Sequence, residues 1–102
     1  MPPPPDVAPA FDREHGCNEV EWLGWLPGAV GSHRWRHTGA QGAEVEIGDG
    51  WLHLRWAALP PRRIALLAMP RLAVSYRFDG VDIAARRRFM QYFDLFMQRG
   101  GG

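Results

Sequence analysis

The sequence predicts an α+β domain, a small curved antiparallel sheet of four to five strands covered by a C-terminal amphipathic helix. Two stretches, 43–57 and 71–78, alternate apolar and polar residues with a period of two, the signature of half-buried strands. A third, 89–97, repeats its apolar residues at helical spacing. Each pattern is apolar on one side only, so sheet and helix need each other to leave water. The length of 102 residues allows one modest core, and 46% hydrophobic with 23% charged residues is an ordinary globular balance.

Residues 1–17 read as a flexible Pro-rich tail, 18–99 as the single domain and 100–102 as a flexible Gly tail. Pro2–Pro5 favour an extended polyproline conformation, and only Phe11 offers substantial apolar area in this stretch, one anchor at most. Asn18-Glu19-Val20-Glu21 has the form of a capping box. Trp22, Trp25 and Leu26 then share one helical face up to Pro27-Gly28, which is expected to stop the helix; Gly24 leaves an extended reading of this segment open. His33, Trp35 and His37 alternate with Arg34 and Arg36, a strand signal over 32–38.

The 43–57 segment predicts a hairpin around Asp49-Gly50. A two-residue loop there sets Ile47 opposite Leu52, Val45 opposite Leu54 and Ala43 opposite Trp56, with Glu46–His53 and Glu44–Arg55 across the polar face. Pro60-Pro61 is expected to break the chain. Residues 62–69 fit a short buried strand slightly better than a helix, and Pro70 belongs at a turn or edge. Leu72, Val74, Tyr76 and Phe78 mark the next strand, and Asp82 is the expected N-cap of a helix over 83–99. Phe89, Met90, Phe93, Phe96 and Met97 form its core stripe, with Gly100 as its exit.

Several function classes find little footing. No run approaches the ~20 apolar residues of a membrane-spanning helix, and the proline-rich start is unlike a secretory signal, so a cytoplasmic protein is expected. The lone Cys17 excludes an internal disulfide. His33 and His37 on one strand face stand ~13 Å apart, too far to share a metal ion, and His15-Gly16-Cys17 falls in the expected tail. Ser32, Ser75, Thr38 and Cys17 have no base and acid arranged around them, and no phosphate-binding glycine loop is present. The reading leans away from an enzyme and assigns no catalytic residue, cofactor or metal.

Charge is unevenly placed: residues 1–50 hold three Arg against eight Asp or Glu, and residues 51–102 nine Arg against three Asp. Neutralisation of one half by the other across the fold is the favoured explanation. The absence of Lys fits a GC-rich codon bias better than a selected chemistry. Nucleic-acid or anion binding is the alternative function, through Arg71, Arg77, Arg86, Arg87 and Arg88, with Arg62 and Arg63 nearby. Arg86–Arg88 near a helix N-terminus oppose its macrodipole and call for an anion or for acids of the first half.

The favoured function is a non-enzymatic protein-interaction or self-association module, with a protein partner or a homodimer as the contact. Tyr92 and Leu95 widen the apolar arc of the last helix beyond what one sheet face covers, although Trp22 and Trp25 could cover it within the monomer. Trp51 is a large aromatic on the charged face of the hairpin. These three are the expected partner-binding residues.

Overall fold

The computed structural model describes residues 8–100. Its elements are β1 (Ala10–His15), α1 (Glu19–Ala29), β2 (Trp35–His37), β3 (Gly42–Ile47), β4 (Gly50–Ile64), β5 (Leu67–Asp79) and α2 (Ile83–Gly100). The five strands form one antiparallel sheet in the order β1-β5-β4-β3-β2. This is the α+β class the alternation and the terminal stripe predict, and the sheet does not close into a barrel.

Both helices lie on one sheet face. The side chains alternating toward them, among them Val45, Leu52, Leu54, Trp56, Leu72, Val74, Tyr76 and Phe78, are buried. Trp22 of α1 is wholly buried, with ring centroids 5.7 Å from Trp56 and 6.0 Å from Phe93 of α2. Phe93 meets Tyr76 edge-on at 5.8 Å and stacks on Phe89 at 5.7 Å. Offset and edge-on rings of this kind add about 0.5–1.5 kcal/mol per pair beyond their burial, so the aromatic cluster fixes how the helices sit on the sheet.

The capping box forms. The Asn18 side chain accepts from the Glu21 amide at 2.8 Å and the Glu21 carboxylate accepts from the Asn18 amide at 3.1 Å. Residues 19–26 are therefore helical, and the helix does not stop at Pro27-Gly28. It runs to Ala29, with Val30 as C-cap and Gly31 at a φ of +64°. Pro27 sits on the exposed side, and Gly28 serves packing, since a Cβ there would overlap the Phe96 ring. The missing side chain lets α2 approach α1. Asp82 caps α2 as expected, its carboxylate accepting from the Ala85 amide at 2.8 Å.

The β3–β4 hairpin turns at Gly48-Asp49, not at Asp49-Gly50. Ile47 faces Gly50, Val45 faces Leu52 and Ala43 faces Leu54, and across the polar face Glu44 faces His53 and Glu46 faces Trp51. The expected register is therefore displaced by two residues. An even displacement keeps every side chain on its face, so the inside and outside of the hairpin stand while its cross-strand partners change. Two glycines explain the choice. Gly48 has a φ of +60° at the first loop position, as in a type II′ turn. Gly50 is held at a buried strand position where a Cβ would overlap the Asp79 and Gly80 carbonyls. The close approach of β4 to the end of β5 takes Gly50 out of the turn.

Three further expectations are corrected. Ala10–His15, expected in the tail, is the edge strand β1 on β5. Phe11 stacks on Tyr76 at 4.7 Å, and the Pro9 carbonyl accepts from the Phe78 amide at 2.7 Å. Pro2–Pro5 and residues 101–102 lie outside the described residues, while Gly100 belongs to α2. The strand expected over 32–38 is confined to Trp35–His37, because His33 turns its Nδ1 to the Glu46 carbonyl at 2.9 Å.

Pro60-Pro61 does not break the chain. β4 passes through both prolines with a bulge between Leu59 and Arg62, and pairs with β5 as far as Ile64–Leu67. Residues 62–69 are therefore the tip of a long hairpin and not one buried strand; Ala65 turns it with a φ of +55°. β3 accompanies β4 only to Arg55, and β1 accompanies β5 only to Leu72. Beyond those rungs the pair continues as a two-stranded arm whose residues 60–70 are all exposed.

Candidate functional site

The sheet face away from the helices has no covering element among the described residues, and the β4–β5 register gives its order. From the tip it presents Ile64 and Leu67, then Arg62 and Met69, Leu59 and Arg71, Ala57 and Ala73, Arg55 and Ser75, His53 and Arg77, and finally Trp51 and Asp79. The arm end is aliphatic, the middle rung is two alanines, and the far end is charged around Trp51.

Large apolar side chains stay in water along the arm. Ile64, Leu67 and Met69 are 54%, 66% and 50% exposed, and Leu66 at the turn is fully so. Removing such a side chain completely from water is worth about 1.5–3 kcal/mol. A two-stranded ribbon standing alone is at best marginally stable. Pro60, Pro61, Pro70 and the bulge limit edge-to-edge strand pairing along it. The side-chain face, more than the backbone edge, is thus the surface the arm leaves open.

Most of the strand charges on this face are answered within the chain. Arg71 donates to Glu14 at 2.7 Å and to the Pro60 carbonyl at 3.2 Å, and Arg62 lies 3.8 Å from the same carboxylate. The Arg71 guanidinium holds the Glu14 carboxyl below its usual range. At the far end His53 lies 2.9 Å from Asp79 and 3.6 Å from Glu44, Arg36 pairs with Glu44 at 3.0 Å, and Arg77 is 3.8 Å from Asp79. Counting outward-facing strand residues, five Arg (36, 55, 62, 71, 77) meet five acids (Asp12, Glu14, Glu44, Glu46, Asp79).

The expected site residues do not converge. Trp51 lies on this open face, half-buried beside Glu46. Tyr92 and Leu95, 54% and 55% exposed, belong to α2 on the other side of the sheet. There Tyr92 packs over Gly31 and lines an open cleft with His33, Asp49 and Arg88. The arginines of the alternative divide likewise. Arg71 and Arg77 are on the open face, six residues and ~20 Å apart, while Arg86, Arg87 and Arg88 lie on α2, Arg86 donating to the Val81 carbonyl.

A second polar cluster sits between β1 and α2. Arg13 pairs bidentately with Asp94, at 2.5 and 3.1 Å, and lies over the rings of Phe11 and Tyr76. His15 shares a 2.8 Å hydrogen bond with the Tyr76 hydroxyl. Burial holds the His15 imidazole below its ordinary range, with the Arg13 charge acting the same way, and burial pushes the Tyr76 phenol up. Cys17 is nearby but buried, its thiol also pushed up, first by burial and then by Glu21. A protonated, inaccessible thiol is no nucleophile. The cluster clamps β1 to α2.

The residues that sequence reasoning missed are Leu59, Ile64, Leu66, Leu67 and Met69. The signal was present: from Trp56 to Phe78 the chain has no Asp or Glu, and its apolar parity changes at Pro70. Comparison with protein-family models, with curated proteins and with solved structures returns no match. Among the described residues no helix is long and apolar enough to cross a membrane.

Proposed function

We propose that the protein is a non-enzymatic interaction module that docks a protein partner through the open sheet face, with the β4–β5 arm as its anchor. The observation that carries this reading is the aliphatic face of the arm, where Ile64, Leu67 and Met69 stand at least half exposed, with Leu66 at the turn beside them, on a ribbon that no other described element covers. Trp51 extends the same face, whereas Tyr92 and Leu95 belong to a separate surface. Anion binding has weaker support, because Arg71 and Arg62 are turned to Glu14 and the strand charges of the face balance. The arm also offers no aromatic for base stacking between Trp56 and Tyr76.

Site-specific photo-crosslinking in cells tests this. A photoreactive residue replacing Leu67 or Trp51 is expected to give adducts removed by protease and untouched by nuclease, and one replacing Arg87 on α2 is expected to give none. Nuclease-sensitive adducts, or no adduct from either Leu67 or Trp51, would overturn the reading.

A further inference from the structure

We infer that the partner on the open face is a second copy of this chain, packed face to face about a two-fold axis through the Ala57–Ala73 rung, an inference that rests on the docking role proposed above. The order of the seven rungs supports it. Ala57 and Ala73 are the fourth rung from either end, with Ile64–Leu67 at one limit and Trp51–Asp79 at the other. Rotation about the central rung carries the aliphatic tip of each copy over the Trp51 end of its partner. An isologous contact demands this kind of self-complementarity, since each patch meets its own image. The alanine pair lets the sheets approach to the ~10 Å of face-packed layers.

Charge agrees with a second copy. A face carrying five Arg and five acids on its strands neither draws a polyanion nor repels its own image. The aliphatic tip finds only Trp51 as a large apolar surface at the opposite end of the face. The seven β4–β5 rungs bring fourteen outward side chains of each copy to the contact, fewer than the ~20–30 per side of a standard interface, so the dimer is a weak, concentration-dependent one. Because Pro60, Pro61 and Pro70 hinder edge pairing, the dimer packs through side chains and does not continue the sheet.

Molar mass in solution, measured by light scattering on the purified full chain at about 50 μM, tests the inference. The expected result is twice the mass of the chain. Leu67→Asp and Trp51→Asp, on opposite ends of one copy, each weaken the dimer at least tenfold with unchanged circular dichroism, and Leu95→Asp leaves it intact. As a second measurement, an equimolar mixture of Leu67→Cys and Asp79→Cys chains, whose positions the two-fold brings together, forms a mixed disulfide in preference to either like pair on mild oxidation. A monomeric wild type, a dimer indifferent to both Leu67→Asp and Trp51→Asp, a dimer lost only in Leu95→Asp, or preference for like pairs overturns the two-fold arrangement. Protein adducts at Leu67 in cells from a chain that is monomeric when pure would overturn this inference alone and leave the docking role standing.

Discussion

The two halves of the β4–β5 hairpin share one pair of strands and obey opposite rules. Between Leu52 and Trp56, and between Leu72 and Phe78, the apolar side chains point to the helices and are buried. From Leu59 and Met69 outward they point to the other face and remain in water. The apolar residues change parity, from Leu54 and Trp56 to Leu59 on β4 and from Leu72 to Met69 across Pro70 on β5. The bulge beyond Leu59 adds one residue to β4 and so keeps Arg62 and Ile64 on the face that Leu59 already occupies. The change of parity separates the half whose side chains hold the fold together from the half whose side chains are left exposed.

Substitutions separate the two halves by size of effect. Trp22→Ala removes a wholly buried side chain that meets His15, Trp56 and Phe93, and is expected to cost about 3–5 kcal/mol by chemical denaturation. A loss below about 1 kcal/mol would mean the aromatic cluster does not seat α1. Gly28→Val places methyl groups where the Phe96 ring lies and is expected to cost about 1–3 kcal/mol by overpacking, with Phe96→Ala in the same chain recovering part of the loss.

A smaller effect concerns β1. His15 has a folded pKa below the ordinary 6.5, so the unfolded chain takes up its proton first as pH falls. Stability at this site is therefore complete above about pH 6.5 and declines below it until the folded imidazole also protonates. Denaturation at pH 7.5 and 5.5 should show the decline, and His15→Gln should flatten it; an unchanged slope in that variant would remove His15 as its source. The smallest effect belongs to the arm. Leu67→Ser is expected to shift monomer stability by no more than about 0.5 kcal/mol, in conditions where the chain is dilute enough to be monomeric.

The contrast also shows what the sequence made legible. The capping box at Asn18–Glu21, the Asp82 cap and the stripe Phe89–Met97 could be read directly, because each depends on neighbours within a few residues. The inside and outside of the β3–β4 hairpin were legible for a related reason: side-chain parity has only two values, and an error of two residues leaves it unchanged. Its register was not, because Gly50 is claimed by contact with Gly80, thirty residues away. The strand at Ala10–His15 was hidden since Phe11 is its one large aliphatic or aromatic side chain, and its pairing with Tyr76 is long-range. Pro60-Pro61 misled for a local reason. Prolines break central strands, but beyond Arg55 β4 has no β3 neighbour to require their amides. The candidate surface was half legible: Trp51 stood out as an aromatic among charges, while Ile64, Leu67 and Met69 match the composition of a core and are set apart only by a long-range register that leaves them uncovered among the described residues.

Amide hydrogen exchange across the full chain, compared at dilute and at high protein concentration, tests the central claim most directly. If the open face is a contact surface anchored by the arm, amides between Arg62 and Met69 exchange more slowly in the concentrated sample, those of the Trp51–Arg55 segment do the same, and the outer surface of α2 does not change. Arm exchange that is fast and independent of concentration, with protection appearing around Leu95 on α2, would contradict it.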